Sequence, residues 1–323
     1  MEIGIITVRD KSYHPNGRLI EAAAEKGHRA RLIHPYRVWP RVTGKGLEFM
    51  GEPDVQVLDV VMPRQGATIG ASSLTLLHHF NCMGVPMVND FDAVCLTRSQ
   101  IMTLQTLAAD NLPVPDTLFV NSEDGFSRAV PLVGGYPVVV KQVSGRQGSG
   151  IHLVETTDQA KTIIANHMDP PTGILVQRYI PTPGRQDIRI MVINGKAAGA
   201  MEMQPVNGDF RANFHLTHKS RPFELTLVIE HLAVKAARAI GLDIAGVDLI
   251  VDKHKDMYLI EVNYAPGFKG LEKATGLDIA GGMIDCAVAK GQRTEDGGQN
   301  HRGPEPQKTG ISGQKSDRKN YWP

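Results

Sequence analysis

Gly246-Val247-Asp248-Leu249-Ile250-Val251-Asp252 and Met257-Tyr258-Leu259-Ile260-Glu261-Val262-Asn263 are two apolar runs of strand length on either side of a short polar turn, Asp252–Asp256. That pattern predicts a β-hairpin. Glu261 and Asn263 are two residues apart, so they share one face of their strand. An acid inside an apolar strand needs a partner or a metal. Asp248 occupies a similar setting on the neighbouring strand. Two carboxylates and an amide oxygen form a hard-oxygen set suited to Mg²⁺ held jointly by protein and phosphates. Asp252 and Asp256 fit a simpler role, ending strands and capping the turn.

Working outward, residues 187–193 and 196–203 predict another hairpin across Asn194-Gly195, a favoured type I′ turn pair. Asp187 and Arg189 share a strand face, as a surface ion pair or as ligand contacts. Strand 174–180 ends in Gln177-Arg178-Tyr179-Ile180, an extended segment able to present backbone groups to a purine edge. Further upstream, strand 136–141 ends in Lys141, whose charge needs an anion unless its stem carries it out to water. The loop Ser144-Gly145-Arg146-Gln147-Gly148-Ser149-Gly150 follows. Its glycines permit close backbone approach to an anion, although a simple hairpin turn has the same composition. It is not a Walker A loop, because no Gly-Lys-Ser/Thr follows. In Gly208-Asp209-Phe210-Arg211-Ala212-Asn213, Arg211 offers a planar fork for phosphoryl oxygens and Asn213 a polar contact.

Before these pieces, strands at 3–8, 30–33, 55–61 and 85–89 alternate with helices at 17–26 and 72–83, which predicts a parallel α/β unit. It carries no G-x-G-x-x-G. Helices are expected at 97–109, 158–167, 225–240 and 278–289. The chain therefore divides into an N-terminal unit over 1–95, a larger unit over 96–290 with lobes at 96–180 and 181–290, and a tail over 291–323. The tail is too polar to form a core and is expected to be disordered.

Composition narrows the function classes. The chain has 323 residues, 41% of them hydrophobic, and a net charge of +1. That balance calls for neither nucleic acid nor an anionic membrane as partner. Three scattered cysteines form no CxxC, which fits reduced thiols, and the short apolar start reads as a strand. A cytoplasmic enzyme is expected. No Ser-His or Cys-His signature indicates an enzyme nucleophile.

The order Lys141, Gly-rich loop, Gln177–Ile180, Asp187-x-Arg189, Arg211-x-Asn213, Asp248 and Glu261-x-Asn263 resembles the ATP-grasp superfamily. Within it, Glu261 to Gly267 and Gly270 to Ala280 look most like the RimK-type α-L-glutamate ligases, which extend the C-terminus of a ribosomal protein. The resemblance implies an α/β fold: an N-terminal pre-ATP-grasp domain, then a two-lobed grasp. It implies ATP and Mg²⁺ (or Mn²⁺), two ions in all, and ligation of an amine to a carboxylate through an acyl phosphate. Lys141, Gly145, Gln147, Gly148, Ser149 and Gly150 would hold or cover the phosphates. Gln177, Arg178, Tyr179, Ile180, Asp187 and Arg189 would bind nucleotide. Arg211 and Asn213 would serve the phosphoryl group, and Asp248, Glu261 and Asn263 the metal. The substrates would be an amino acid and a carboxylate on a small molecule, peptide or protein C-terminus, and the enzyme a homo-oligomer. Gln100 stands where the family carries a second nucleotide lysine, with Arg98 as the candidate substitute, Arg178 where it carries Glu, and Met203-Gln204 where basic residues are frequent. The rival readings are a glutathione-synthetase-like ligase for another acid, and a nucleotide-binding regulator without turnover.

Overall fold

The computed structural model describes residues 1–51, 55, 57–66, 69–142, 150–204, 210 and 220–297, with 294–297 given by backbone alone. The first unit opens with β1 (Glu2–Ile6), α1 (His14–Glu25) and β2 (Arg29–Ile33), and β5 (Val60–Pro63) completes its sheet. The order is β2-β1-β5, and both pairings are parallel. The expected parallel unit is present, with three differences, the first being that the run expected at 55–61 forms a strand only over Val60–Pro63. The 85–89 run pairs only through a single bridge, Val61 to Met87. The sequence reading assigns no element to 34–54, yet β3 (Val38–Thr43) and β4 (Gly46–Gly51) form an antiparallel hairpin there. Pro40 breaks the alternation that would announce β3.

After α2 (Ala71–Cys82), the single helix expected at 97–109 is two: α3 (Phe91–Thr97) and α4 (Gln100–Ala109). The Ser99 hydroxyl accepts from the Met102 amide and starts the second helix as its N-cap. The small lobe follows, with β6 (Thr117–Val120), α5 (Glu123–Leu132), β7 (Val138–Gln142), β8 (Ile151–Val154), α6 (Thr157–His167) and β9 (Ile174–Arg178). Its antiparallel sheet runs β6-β9-β7-β8. The second sheet runs β12-β11-β10-β13-β14, from β10 (Gln186–Ile193), β11 (Lys196–Met203), β12 (Ser220–Pro222), β13 (Ile244–Val251) and β14 (Met257–Asn263). Asn194 and Gly195 take φ of 48° and 72°, as a type I′ turn requires. Helix α7 (Leu227–Ile240) covers this sheet, and α8 (Lys269–Thr275) and α9 (Ile279–Gly297) close the chain.

Two apolar clusters join the first unit to the second sheet. In one, Ile3, Ile5, Val60 and Met62 meet Leu19, Ala22 and Ala23 of α1, Met283, Ile284 and Ala287 of α9, and Met191 and Ile193 of β10. In the other, Leu76, Leu77 and Phe80 of α2 meet Ile188, Ile190 and Ala233, together with Leu107 of α4. The expected lobe boundary at residue 96 therefore shifts: α4 is buried with α7 and β14, and only 117–178 belongs to the small sheet. The small lobe keeps a separate cluster, built from Val120, Phe126, Val138, Val140, Val154 and Val176. Polar locks reinforce the large body. The buried Asn89 amide donates to the carbonyls of Ile244 (2.7 Å) and Tyr264 (2.8 Å), and its oxygen accepts from the Ile244 amide. Lys290 bridges Asp90 and Asp243.

The last helix runs on to Gly297, seven residues into the stretch expected to be a disordered tail. Gly291 is the reason: it is buried, and a Cβ there would meet the Met1 side chain at 2.2 Å. Residues 298–323 lie outside the described residues. Among those described, no helix is long and apolar enough to cross a membrane.

Candidate active site

Register builds the site. Arg189 on β10 lies opposite Asp248 on β13, which lies opposite Glu261 on β14. One row further, Met191, Gly246 and Asn263 align. Side chains in a row stand side by side on one sheet face. Arg189 Nε and Nη2 donate to Asp248 Oδ1 and Oδ2, both at 2.6 Å, a bidentate fork. The surface pair between Asp187 and Arg189 does not form. Each takes another partner, because Arg185 Nε reaches Asp187 Oδ2 at 2.9 Å from the same strand end.

Glu261 opens onto the cleft yet is enclosed by its walls. Desolvation first, then repulsion from Asp248, raises its carboxyl above the usual range; Arg189, Lys141 and a hydrogen bond from Asn263 oppose this. Adjacent like charges on paired strands are unfavourable unless a cation joins them. Two facing carboxylates with a neighbouring amide match Mg²⁺ that takes its remaining ligands from phosphate and water. Among the described residues no three acidic, His or Cys side chains cluster as a metal cage. The residues fit a metal shared with a substrate rather than one held by protein alone.

The opposite wall comes from the small lobe. Lys141 on β7 is only 5% exposed. No acceptor meets its ammonium among the described residues. Desolvation pushes its pKa down to about 8, while Glu261 and Asp248 act to raise it. Between the walls lies one cavity, lined by Lys141, Gln177, Arg178, Tyr179, Ile180, Asp187, Arg189, Asp248 and Glu261. Val139, Ile151, Leu249, Ile250 and Ile260 supply an apolar slot. Such a slot suits a flat ring at one end and the charged row suits phosphates at the other.

Nine of the expected site residues thus meet in one cavity. Asn263 adjoins it through Glu261. Gly150 sits at the start of β8, where its carbonyl accepts from the Gln142 amide. Gly145, Gln147, Gly148, Ser149, Arg211 and Asn213 lie outside the described residues. Strand β9 ends at Arg178 rather than at Ile180, so Tyr179 and Ile180 leave the ladder beside the cavity. Gln177 Nε2 donates to the Thr117 hydroxyl at 2.8 Å, which fixes this edge.

Arg185 was not anticipated. It is buried, and besides Asp187 its guanidinium donates to the carbonyls of Ile180 (2.7 Å) and Phe210. It ties the Tyr179–Ile180 edge to β10. The spacing Arg185-x-Asp187 at the start of β10 was the available signal. Arg189 keeps its charge firmly: burial would lower its pKa, but Asp248 and Glu261 hold it above its ordinary range.

Known proteins share this fold. Residues 1–94 match the RimK PreATP-grasp domain and residues 97–287 the RimK-like ATP-grasp domain. A "Probable alpha-L-glutamate ligase" of Methanococcoides burtonii is 36% identical over 90% of this chain and 97% of its own length. The crystal structure of a RimK domain ATP-grasp protein from Sphaerobacter thermophilus superposes with a TM-score of 0.72 at 23% identity, over 89% of this chain and 100% of that one. The ATP-grasp ligase PsnB, complexed with a minimal precursor, Mg and ADP, gives a TM-score of 0.68 at 19% identity, over 90% and 97% of the two chains. With an N-terminal pre-ATP-grasp domain leading into a two-lobed grasp, this chain belongs to the RimK family of ATP-grasp ligases, enzymes that form carbon–nitrogen bonds.

Proposed function

We propose that the protein joins the amine of an amino acid, glutamate first among them, to a carboxylate on a peptide, a protein C-terminus or a small acid, using ATP. One observation carries this: a buried lysine with no acceptor among the described residues faces a row of acidic side chains across an apolar slot. A buried cation of this kind needs an anion, and a nucleotide phosphate supplies one. The base lies in the slot beside Tyr179 and Ile180, and Lys141 holds phosphate. Mg²⁺ (or Mn²⁺), two ions in all, would sit at Asp248, Glu261 and Asn263 and offset the charge of the phosphates. The substrate carboxylate attacks the γ-phosphorus and ADP leaves. The amine then attacks the acyl carbon, loses a proton, and phosphate leaves. Arg211 and Asn213 serve the phosphoryl group in this reading, and the Gly145–Gly150 loop excludes water from the acyl phosphate. The enzyme works in the cytoplasm as a homo-oligomer.

One contact favours a second reading, a nucleotide-binding regulator. Gln100, in place of a second phosphate lysine, donates to the Ile260 carbonyl at 3.4 Å and brings no cation to that position. The test is ADP release from ATP and Mg²⁺ with L-glutamate and a panel of small acids and acidic peptides, followed by product mass. ADP formation that requires both amine and acid, with a product heavier by one glutamyl residue, supports the ligase. Nucleotide binding without turnover under every pairing supports the regulator.

A further inference from the structure

A half-buried arginine lies outside the nucleotide cavity. Arg64 follows β5, and its amide donates to the Ile6 carbonyl at 2.9 Å, so it stands at the carboxyl ends of the parallel strands β1 and β5. Crevices at such strand ends are where open α/β sheets receive ligands. Its Nη2 donates to the Pro266 carbonyl at 2.6 Å, and its guanidinium lies 5.9 Å from the Phe268 ring centroid. Its Nε is buried without a partner. Desolvation lowers its pKa to about 10, and the titratable groups that act against this are the phenols of Tyr13 and Tyr264, with no carboxylate among them. It stays protonated at neutral pH. An arginine so enclosed is ordinarily paired with an anion. His14 gathers at the same ring, 5.9 Å from Phe268, with Nδ1 also buried and unpartnered.

Position says what the anion belongs to. Pro266 lies against Gly246, where a Cβ would meet it at 2.6 Å, and Gly246 pairs with Asn263. The guanidinium is therefore anchored through Pro266 to the Gly246–Asn263 row, the row next to Asp248 and Glu261. We propose that Arg64 binds a carboxylate of the amine-bearing amino acid and so directs its amine toward the end of the cleft where the acyl group is made. This inference rests on the ligase reading. Planar bidentate recognition of a carboxylate is what a guanidinium does best. The Pro266 contact occupies Nη2, and Nε and Nη1 take no partner among the described residues.

The experiment compares L-glutamate with its α-amide and its γ-amide as amine substrates, at saturating ATP and acid, in wild type, Arg64→Met and Arg64→Lys. Wild type should prefer glutamate to one of the two amides, and that amide names the carboxylate bound. Losing a charge-assisted pair corresponds to about 10- to 100-fold. Arg64→Met should raise KM for glutamate by that factor, leave KM for ATP unchanged, and lose the preference. Arg64→Lys should recover part of it, and it carries the test if Arg64→Met does not fold. Equal use of glutamate and both amides by wild type overturns the proposal. So does a variant with a lowered melting temperature but unchanged KM and preference, since Arg64 would then be only a strut to Pro266. If wild type forms no product from any amine, the ligase reading itself fails, an outcome distinct from these.

Discussion

Lys141 is the residue whose environment most directly sets a measurable property. Its pKa of about 8, against an ordinary 10.5, means that the free enzyme loses this charge as pH rises through about 8. The protonated form is the one that attracts phosphate. Affinity for a non-hydrolysable ATP analogue should hold below that pH and weaken above it. Lys141→Met should bind weakly throughout and show no inflection near pH 8. Affinity in wild type that stays level well past this point would exclude Lys141 as a phosphate contact. For stability the sign is reversed: the unfolded chain binds this proton more tightly, so the lysine's burial penalty fades between about 8 and 10.5. Glu261 makes a second case. Glu261→Gln removes one charge from the Asp248–Glu261 contact, so the free protein should become more stable, by at most about 1 kcal/mol. The same change should abolish Mg²⁺-supported turnover. Thermal melting and ADP release together check the opposed signs, and normal turnover would reject the metal assignment.

Helix α9 shows how an element can contradict its composition. A chain ending at Lys290 loses Gly291, buried against Met1, and should melt below the full-length protein. A chain ending at Gly297 should melt with it. Equal melting of both would mean that the last two turns contribute nothing. The elements that sequence alone reveals are those with a strong local period or turn signal. Val138–Gln142, Gln186–Met203 across Asn194-Gly195, and Ile244–Asn263 are of this kind. The hairpin of β3 and β4 was invisible because Pro40 and exposed Trp39, Val42 and Met50 leave no alternation of apolar and polar positions. The extension of α9 was invisible because Gly291 is buried by a contact with residue 1, which composition cannot report. In the site, Asp248, Glu261 and Lys141 were legible as charges stranded among apolar neighbours. Their pairing was not: Arg189 meets Asp248 rather than Asp187 only through the β10–β13 register.

Across the whole molecule, the cavity lies between two bodies with separate cores. The wall bearing Lys141 belongs to the small lobe, and the wall bearing Asp248 and Glu261 to the larger body. A nucleotide that touches both walls should couple their stabilities. Amide exchange in Val138–Gln142 and in Ile244–Val251 should slow together on adding an ATP analogue with Mg²⁺. Protection confined to one wall would place the nucleotide elsewhere. The arrangement of the cores also bears on how the chain is made. Synthesis delivers β1, α1, β2 and β5 well before the helix that covers their sheet beside α1, since that helix is α9 and follows β14 and α8. The small lobe, by contrast, is contiguous from Thr117 to Arg178 and closes its core from its own residues. The stretch 117–178 is thus able to fold on the ribosome ahead of the sheet of β1, β2 and β5, which keeps an apolar face bare until α9 has been made.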